Sequence, residues 1–153
     1  MIGNGTVALR ILLAAGLGMA IGIERELRDQ WAGLRTHILV SVGACLFTLM
    51  SAIGFSAFLG RGTKAAANAD VTRIASQVVV GIGFIGGGTI LRQGANVRGL
   101  TTAATLWVTA AIGLAVAAGA YIAATLANPD VPNQLNLRPA RSARNGARAQ
   151  SGA

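Results

Sequence analysis

Long apolar runs alternate with short charged or glycine-rich stretches along this chain. The first run, GTVALRILLAAGLGMAIGI (residues 5–23), holds nineteen residues and a single charge, Arg10. At about 1.5 Å per residue, a helix of that length crosses a hydrocarbon core of roughly 30 Å. No basic residue precedes it and no small-x-small cleavage site closes it before ERELRD, so it reads as a mature helix rather than a signal peptide. The second run, HILVSVGACLFTLMSAIGFSAFL (37–59), has no Asp, Glu, Lys or Arg, and Thr36 stands where an N-cap is useful. The third, IASQVVVGIGFIGGGTIL (74–91), carries five glycines and Gln77, which its neighbours mark as buried. The fourth starts at TTAATLWVTAAIGLAVAAG (101–119) and runs on through Tyr121 to Leu126. The pattern predicts an all-α, polytopic transmembrane helical bundle over residues 1–127, with four to five membrane segments and helices near 5–23, 37–59, 74–91 and 101–126.

Composition agrees with that class: 53% of the residues are apolar, 12% are charged, and glycine occurs 21 times among 153. The net charge of +8 comes partly from residues 128–153, which hold prolines and arginines but few large apolar side chains. Such a stretch buries too little surface to offset the entropy of ordering, and it reads as a disordered basic tail. It lacks aromatic residues to stack on bases, so anionic lipid headgroups are favoured over nucleic acid as its partner.

Basic loops bear on orientation. With four spans, Arg25, Arg28, Arg35, Arg92 and Arg98 share one side, against Arg61, Lys64 and Arg73 on the other. This favours the first side as cytoplasmic and an outside N-terminus, whereas counting the tail arginines reverses the vote.

Gly81-x-Gly83-x-x-Gly86 has the spacing of a dinucleotide-binding turn. That turn needs a preceding strand, a following helix and an acidic residue about 20 positions on. VVV at 78–80 passes for the strand, but no Asp or Glu occurs between Asp70 and Asp130, and Gly87, Gly88 and Gly94 crowd the place of the helix. Membrane packing is the favoured reading. Gly83 and Gly87 form a GxxxG pair, Gly18 and Gly22 form another, and Gly119 follows Ala115 at the same spacing. Small residues four apart let helix backbones approach closely. A helix so rich in glycine is also easily kinked or unwound, which leaves open tight packing or a broken helix lining an ion path.

The strings GMAIGIERELRDQWAGLRTHILVSVGACLFTLMS, DVTRIASQVVVGIGFIGGGTILRQG and VRGLTTAATLWVTAAIGLA resemble, in order and nearly without gaps, the MgtC/SapB family of bacterial inner-membrane proteins. The resemblance covers roughly residues 8–121. It implies a hydrophobic domain of five membrane helices with the N-terminus outside, often followed by a soluble cytoplasmic domain. It also implies a part in growth under magnesium limitation and in survival inside macrophages, through membrane potential and ATP synthase rather than demonstrated magnesium transport. The sequence departs from the family at its end, because YIAATLA before Asn128 supplies only about 10 Å of helix where a fifth span is expected. Either residues 101–126 form one long tilted helix, or a stub of the fifth helix leaves part of the bundle uncovered. The soluble domain has no counterpart, and any function placed there does not carry over.

The charged residues each allow two readings. Glu24–Arg28 and Arg25–Asp29 have favourable i,i+4 spacing if the first helix continues past the bilayer surface, which gives a salt-bridged helix end. In the sharper reading, based on the family string GIERE, the Glu24 carboxylate binds a cation or an arginine of another helix. Asp70 and Arg73 open the third helix, where an acid suits the helix dipole. Arg98 anchors the fourth helix or pairs with Glu24 or Glu26, while Thr101 and Thr102 can cap it. Arg10, inside a span, either snorkels to the surface or serves a function. Arg35 belongs to the same basic loop. The candidate polar network is thus Arg10, Glu24, Arg25, Arg35, Asp70, Arg73, Gln77 and Arg98, and the candidate packing glycines are Gly18, Gly22, Gly81, Gly83, Gly86, Gly87 and Gly88.

Enzymatic chemistry finds little support. His37 and Ser41 lie four apart with no acid to orient the histidine, and Cys45 and His37 are single residues of their kinds, too few for a zinc site. Cys45 reads as a small buried hydrophobe. The acids fall on opposite membrane faces, so neither a magnesium cage nor any cofactor is expected. Two functions remain: a regulatory membrane protein that binds other membrane proteins, or a transporter or channel subunit completed by homo-oligomerisation.

Overall fold

A computed structural model describes residues 3–54 and 73–128. In chain order it contains α1 (Asn4–Leu27), α2 (Leu34–Leu49) continued by a π-helical turn (Met50–Gly54), α3 (Arg73–Gly88), an antiparallel hairpin of β1 (Leu91–Gln93) and β2 (Asn96–Arg98), α4 (Leu100–Ala118) and the short α5 (Tyr121–Leu126). Asp70, Arg61, Lys64 and the tail beyond Asn128 lie outside the described residues.

Three helical segments, Asn4–Leu27, Leu34–Ile53 and Leu100–Ala118, are long and apolar enough to cross a membrane, and α3 is a shorter apolar helix. Their outward surfaces carry large apolar side chains such as Leu12, Leu39, Val80, Phe84 and Trp107. In water so much exposed apolar surface would drive association, whereas lipid accommodates it.

Helix ends differ from the expected ones for local reasons. α1 continues four residues past residue 23 because its C-terminus closes on Asp29, whose φ of 51° is left-handed. Asp29 N–H donates to the Glu26 carbonyl (3.1 Å) and Gln30 N–H to the Arg25 carbonyl (3.0 Å), the double closure of a Schellman motif. α2 starts at Leu34, so Thr36 lies inside the helix and is not its cap. Gly33 precedes it and offers no side chain; the Glu26 carboxylate instead accepts the Leu34 N–H at 2.8 Å. Glu26 thereby ties the end of α1 to the start of α2.

α3 ends at Gly88, short of residue 91, and Leu91 belongs to a strand. Three successive glycines weaken the last turn, where Thr89 and Ile90 N–H donate to the Gly86 and Gly87 carbonyls (both 3.1 Å) in tighter i→i−3 bonds. The hairpin pairs Leu91 with Arg98, Arg92 with Val97 and Gln93 with Asn96. The expected helix over 101–126 is two helices. Gly119, at φ 84°, ends α4, and α5 starts afresh at Tyr121. The chain therefore takes the form of a stub in place of one long tilted helix.

α4 is the hub of the packing. Ile112, Val116 and Ala117 join Ala14 and Ile21 of α1, Cys45 and Leu49 of α2 and Ala124 of α5 in one buried cluster. Leu106 and Ala110 join Ala44 of α2, Ile82 of α3 and Ala32 in a second. Close approach is made possible by missing side chains. A Cβ on Gly18 would lie 2.8 Å from the His37 carbonyl oxygen, one on Gly22 2.6 Å from Leu34 Cα, and one on Gly113 would collide with the Ser41 carbonyl. α1 and α4 thus meet α2 nearly backbone to backbone, and at van der Waals contact each atom pair contributes about 0.1–0.2 kcal/mol.

Candidate functional site

The polar groups divide between the two ends of the bundle. At the end formed by the start of α1 and the end of α4, the Arg10 guanidinium donates through Nη1 to the Ala117 carbonyl (2.6 Å) and through Nε to the Tyr121 hydroxyl (3.2 Å). Carbonyls at a helix C-terminus lack intrahelical donors and carry partial negative charge, so a half-buried cation there is stabilised twice. Arg10 does not snorkel freely in this arrangement: it fastens α1 to the α4–α5 corner. Tyr121 is the partner that sequence reasoning missed. A separation of 111 residues leaves no periodic signal for it.

At the opposite end, the α1–α2 turn meets the hairpin and the start of α4. Glu24 and Arg28 form the expected i,i+4 ion pair, with Arg28 Nε 2.5 Å from Glu24 Oε1. Arg25 does not pair with Asp29. Its Nη2 donates to Gln30 Oε1 (2.8 Å), and Gln30 Nε2 donates to the Arg28 carbonyl (3.1 Å), because the left-handed turn at Asp29 carries that carboxylate off the helix face. Arg98, at the end of β2, is exposed and pairs with neither Glu24 nor Glu26 among the described residues, since Glu24 is held by Arg28 and Glu26 by the Leu34 N–H. Arg35 and Arg73 are exposed, the latter at the first described position of α3, and Gln77, expected to be buried, is exposed as well.

Beneath this collar lies a buried polar row. His37 is fully buried, and its Nδ1–H donates to the Gly33 carbonyl (2.9 Å), while Nε2 has no hydrogen-bond partner; Arg25 Nε is buried and unpartnered too. One turn on, the Ser41 hydroxyl donates across the interface to the Ala14 carbonyl (2.8 Å). Thr109 is also fully buried, and its hydroxyl returns to the Thr105 carbonyl (2.7 Å). Hydroxyls that bond their own or a neighbouring helix carry polarity into an apolar bundle at little cost. Among the described residues, no three His, Cys, Asp or Glu side chains come together as metal ligands.

Concavities open on the described surface. One, of about 230 Å³, is lined by Asp29, Gln30, Trp31, Arg98, Gly99, Thr101 and Thr102. Another is an apolar groove of about 610 Å³ between α2 and α3, to which α2 contributes Leu39, Gly43 and Phe47 and α3 contributes Gln77, Gly81 and Phe84.

The candidate glycines fall into separate groups. Gly18 and Gly22 are buried against α2, and Gly86 rests on α4, where an added Cβ would sit 3.6 Å from Ala103 Cβ. Gly81, Gly83, Gly87 and Gly88 have no described neighbour outside their own helix within 4 Å of an added Cβ. Gly119 is a left-handed helix terminator beside the Arg10 guanidinium rather than a packing position.

Three apolar helices of spanning length, an inside-out surface and a core closed by glycine contacts define a helical membrane protein. The chain belongs to the MgtC family, whose model matches residues 11–129. It is 49% identical over 113 residues to the putative magnesium transporter YhiD of Escherichia coli K12, covering 74% of this chain and 51% of that protein. It is 46% identical over 121 residues to protein MgtC of Salmonella typhimurium (77% and 47% covered) and 47% identical over 103 residues to protein MgtC of Brucella abortus (67% and 39%). The chain spans about half the length of the curated relatives it matches, or less. No solved structure matches it.

Proposed function

We propose that this protein is a regulatory, multi-pass protein of the bacterial inner membrane that works by binding another membrane protein and catalyses no reaction. The family resemblance supplies its setting, which is growth under magnesium limitation, control of membrane potential or ATP synthase, and intracellular survival. The observation that carries the reading is the face of α3. Gly83 and Gly87, four apart, share one side of this continuous helix, and among the described residues nothing outside the helix lies within 4 Å of a Cβ placed at either. Gly18 and Gly22 of α1 and Gly113 of α4 are met by α2; Gly83 and Gly87 of α3 offer a similar small-residue surface to a helix from outside.

Transport is the second reading, favoured by the printed name of the Escherichia coli relative. It requires α3 to open around an ion, or a polar path to pass through the bundle. α3 remains helical through Gly88, and Gln77 lines a groove whose other walls are apolar, so regulation is better supported.

The deciding experiment combines two measurements. Proteoliposomes containing only this protein should give flat traces in Mg²⁺, K⁺, Na⁺ and H⁺ gradients. In native membranes, a Gly83→Cys variant should crosslink to a foreign membrane protein. Protein-dependent cation flux would overturn the regulatory reading in favour of transport, and crosslinking only to a second copy would replace the foreign partner with a homo-oligomer.

A further inference from the structure

We propose that the cavity between the α1–α2 turn and the N-terminus of α4 binds a phosphoethanolamine group, a zwitterion with a phosphate at one end and an ammonium at the other. This goes beyond partner binding through α3 and does not depend on it.

The cavity holds about 230 Å³ and contains one charge of each sign, Arg98 and Asp29. Opposite charges in so small a space ordinarily pair, yet among the described residues neither side chain forms an ion pair or hydrogen bond. Asp29 is held in place by the left-handed backbone that ends α1, and Arg98 by the last position of β2. The charges are therefore presented separately. An anion alone would meet the Asp29 carboxylate, and a cation alone would meet the Arg98 guanidinium; a ligand bearing both charges suits both walls.

The anionic half has further donors. α4 is 19 residues long, and Gly99 before it provides no side-chain cap, so the first-turn N–H groups are open; the first N–H satisfied there is that of Ala103, on the Gly99 carbonyl (2.9 Å). Helix N-termini in this state bind phosphate oxygens, and an arginine beside them adds a bidentate fork. Thr102, only 3% exposed, lines the same cavity, and no hydrogen bond of its hydroxyl occurs among the described residues, which leaves that hydroxyl available to a ligand.

The cationic half has Asp29 and the face of Trp31, which is 63% exposed at the rim. Gln30 does not compete, because both ends of its amide are engaged by Arg25 and the Arg28 carbonyl. The site lies where two apolar helices end, at the headgroup level of a bilayer, and an exposed tryptophan is at home there.

The full chain in mild detergent, analysed by native mass spectrometry, tests this. Its retention of dioleoyl phosphatidylethanolamine is compared with that of dioleoyl phosphatidylglycerol, with and without millimolar free phosphoethanolamine. The wild type should retain the ethanolamine lipid about tenfold better. Arg98→Gln should weaken both lipids about tenfold, Arg98→Lys less, and Thr102→Val only a few-fold. Asp29→Asn should abolish the preference by strengthening the glycerol lipid relative to the ethanolamine one. Displacement of the lipid by free phosphoethanolamine would identify the soluble compound as an equal source of the ligand, and no displacement would assign the site to the lipid. Equal retention of the two lipids by the wild type would overturn the proposal, as would a preference that survives Asp29→Asn. Both charged positions are exposed, so their variants keep the fold.

Discussion

α1 and α3 each carry a GxxxG pair, and the two pairs have opposite surroundings. In α1, Gly18 and Gly22 are buried, with α2 backbone pressed against them; in α3, Gly83 and Gly87 meet no neighbour among the described residues. The same spacing therefore closes one interface and leaves another surface bare. α2 and α4 make up the difference. α2 packs on α1 through Gly18 and Gly22 and on α4 through Gly113, whereas α3 meets α4 at Gly86 with only ordinary contact. A small-residue motif fixes how closely a helix can be approached, and its neighbours decide whether anything approaches.

The largest expected effect breaks the closed side. Gly22→Val or Gly113→Val forces a side chain into α2 backbone and should cost about 3 kcal/mol, read from unfolding in a detergent titration followed by circular dichroism. An unchanged midpoint would mean that α1, α2 and α4 do not meet as described. Next is Arg10→Met, which frees the Ala117 carbonyl and the Tyr121 hydroxyl. It should cost about 2 kcal/mol, and Tyr121→Phe about 0.5–1 kcal/mol, because a charged donor is lost in one and a neutral acceptor in the other. If the double variant loses as much as the sum of the singles, the two residues do not interact. Glu26→Gln removes the carboxylate that accepts the Leu34 N–H and should lower stability by about 1 kcal/mol, while amide exchange speeds up in the first turn of α2. The smallest effect on folding sharpens the open side. Gly83→Ala or Gly87→Ala meets no neighbour and gains helix propensity, so stability should be unchanged or rise by up to about 1 kcal/mol. The same variants should weaken crosslinking to the partner of α3; a stability loss comparable with Gly22→Val would show that α3 is packed in a way these contacts do not describe.

Much of the framework was legible because bilayer solvation writes itself into composition. The nineteen-residue run whose one charge is Arg10 and an uncharged run after Thr36 can form little else than helices of spanning length. Helix ends were less legible. α1 ended late because Asp29 accepts a left-handed conformation, α3 ended early because glycines weaken its last turn, and α4 stopped at Gly119. These are decisions about one or two residues, in which a few tenths of a kcal/mol of local preference compete with tertiary contacts. The i,i+4 pair Glu24–Arg28 could be read directly, since helix geometry alone brings it together. Arg25–Asp29 failed for the same reason that α1 ends where it does.

The sequence by itself determined the class of protein, the places of its helices and its family, because all three depend on patterns that repeat along the chain and on the length of apolar runs. It also contained every residue of the polar sites. Only the tertiary structure decided which glycines are covered, that Arg10 fastens the α4–α5 corner, that Glu26 caps a helix other than its own, and that Asp29 and Arg98 share a cavity without pairing. Periodicity specifies the face of a helix on which a residue sits. It does not specify which partner lies opposite that face, because that depends on how helices distant in sequence are brought together.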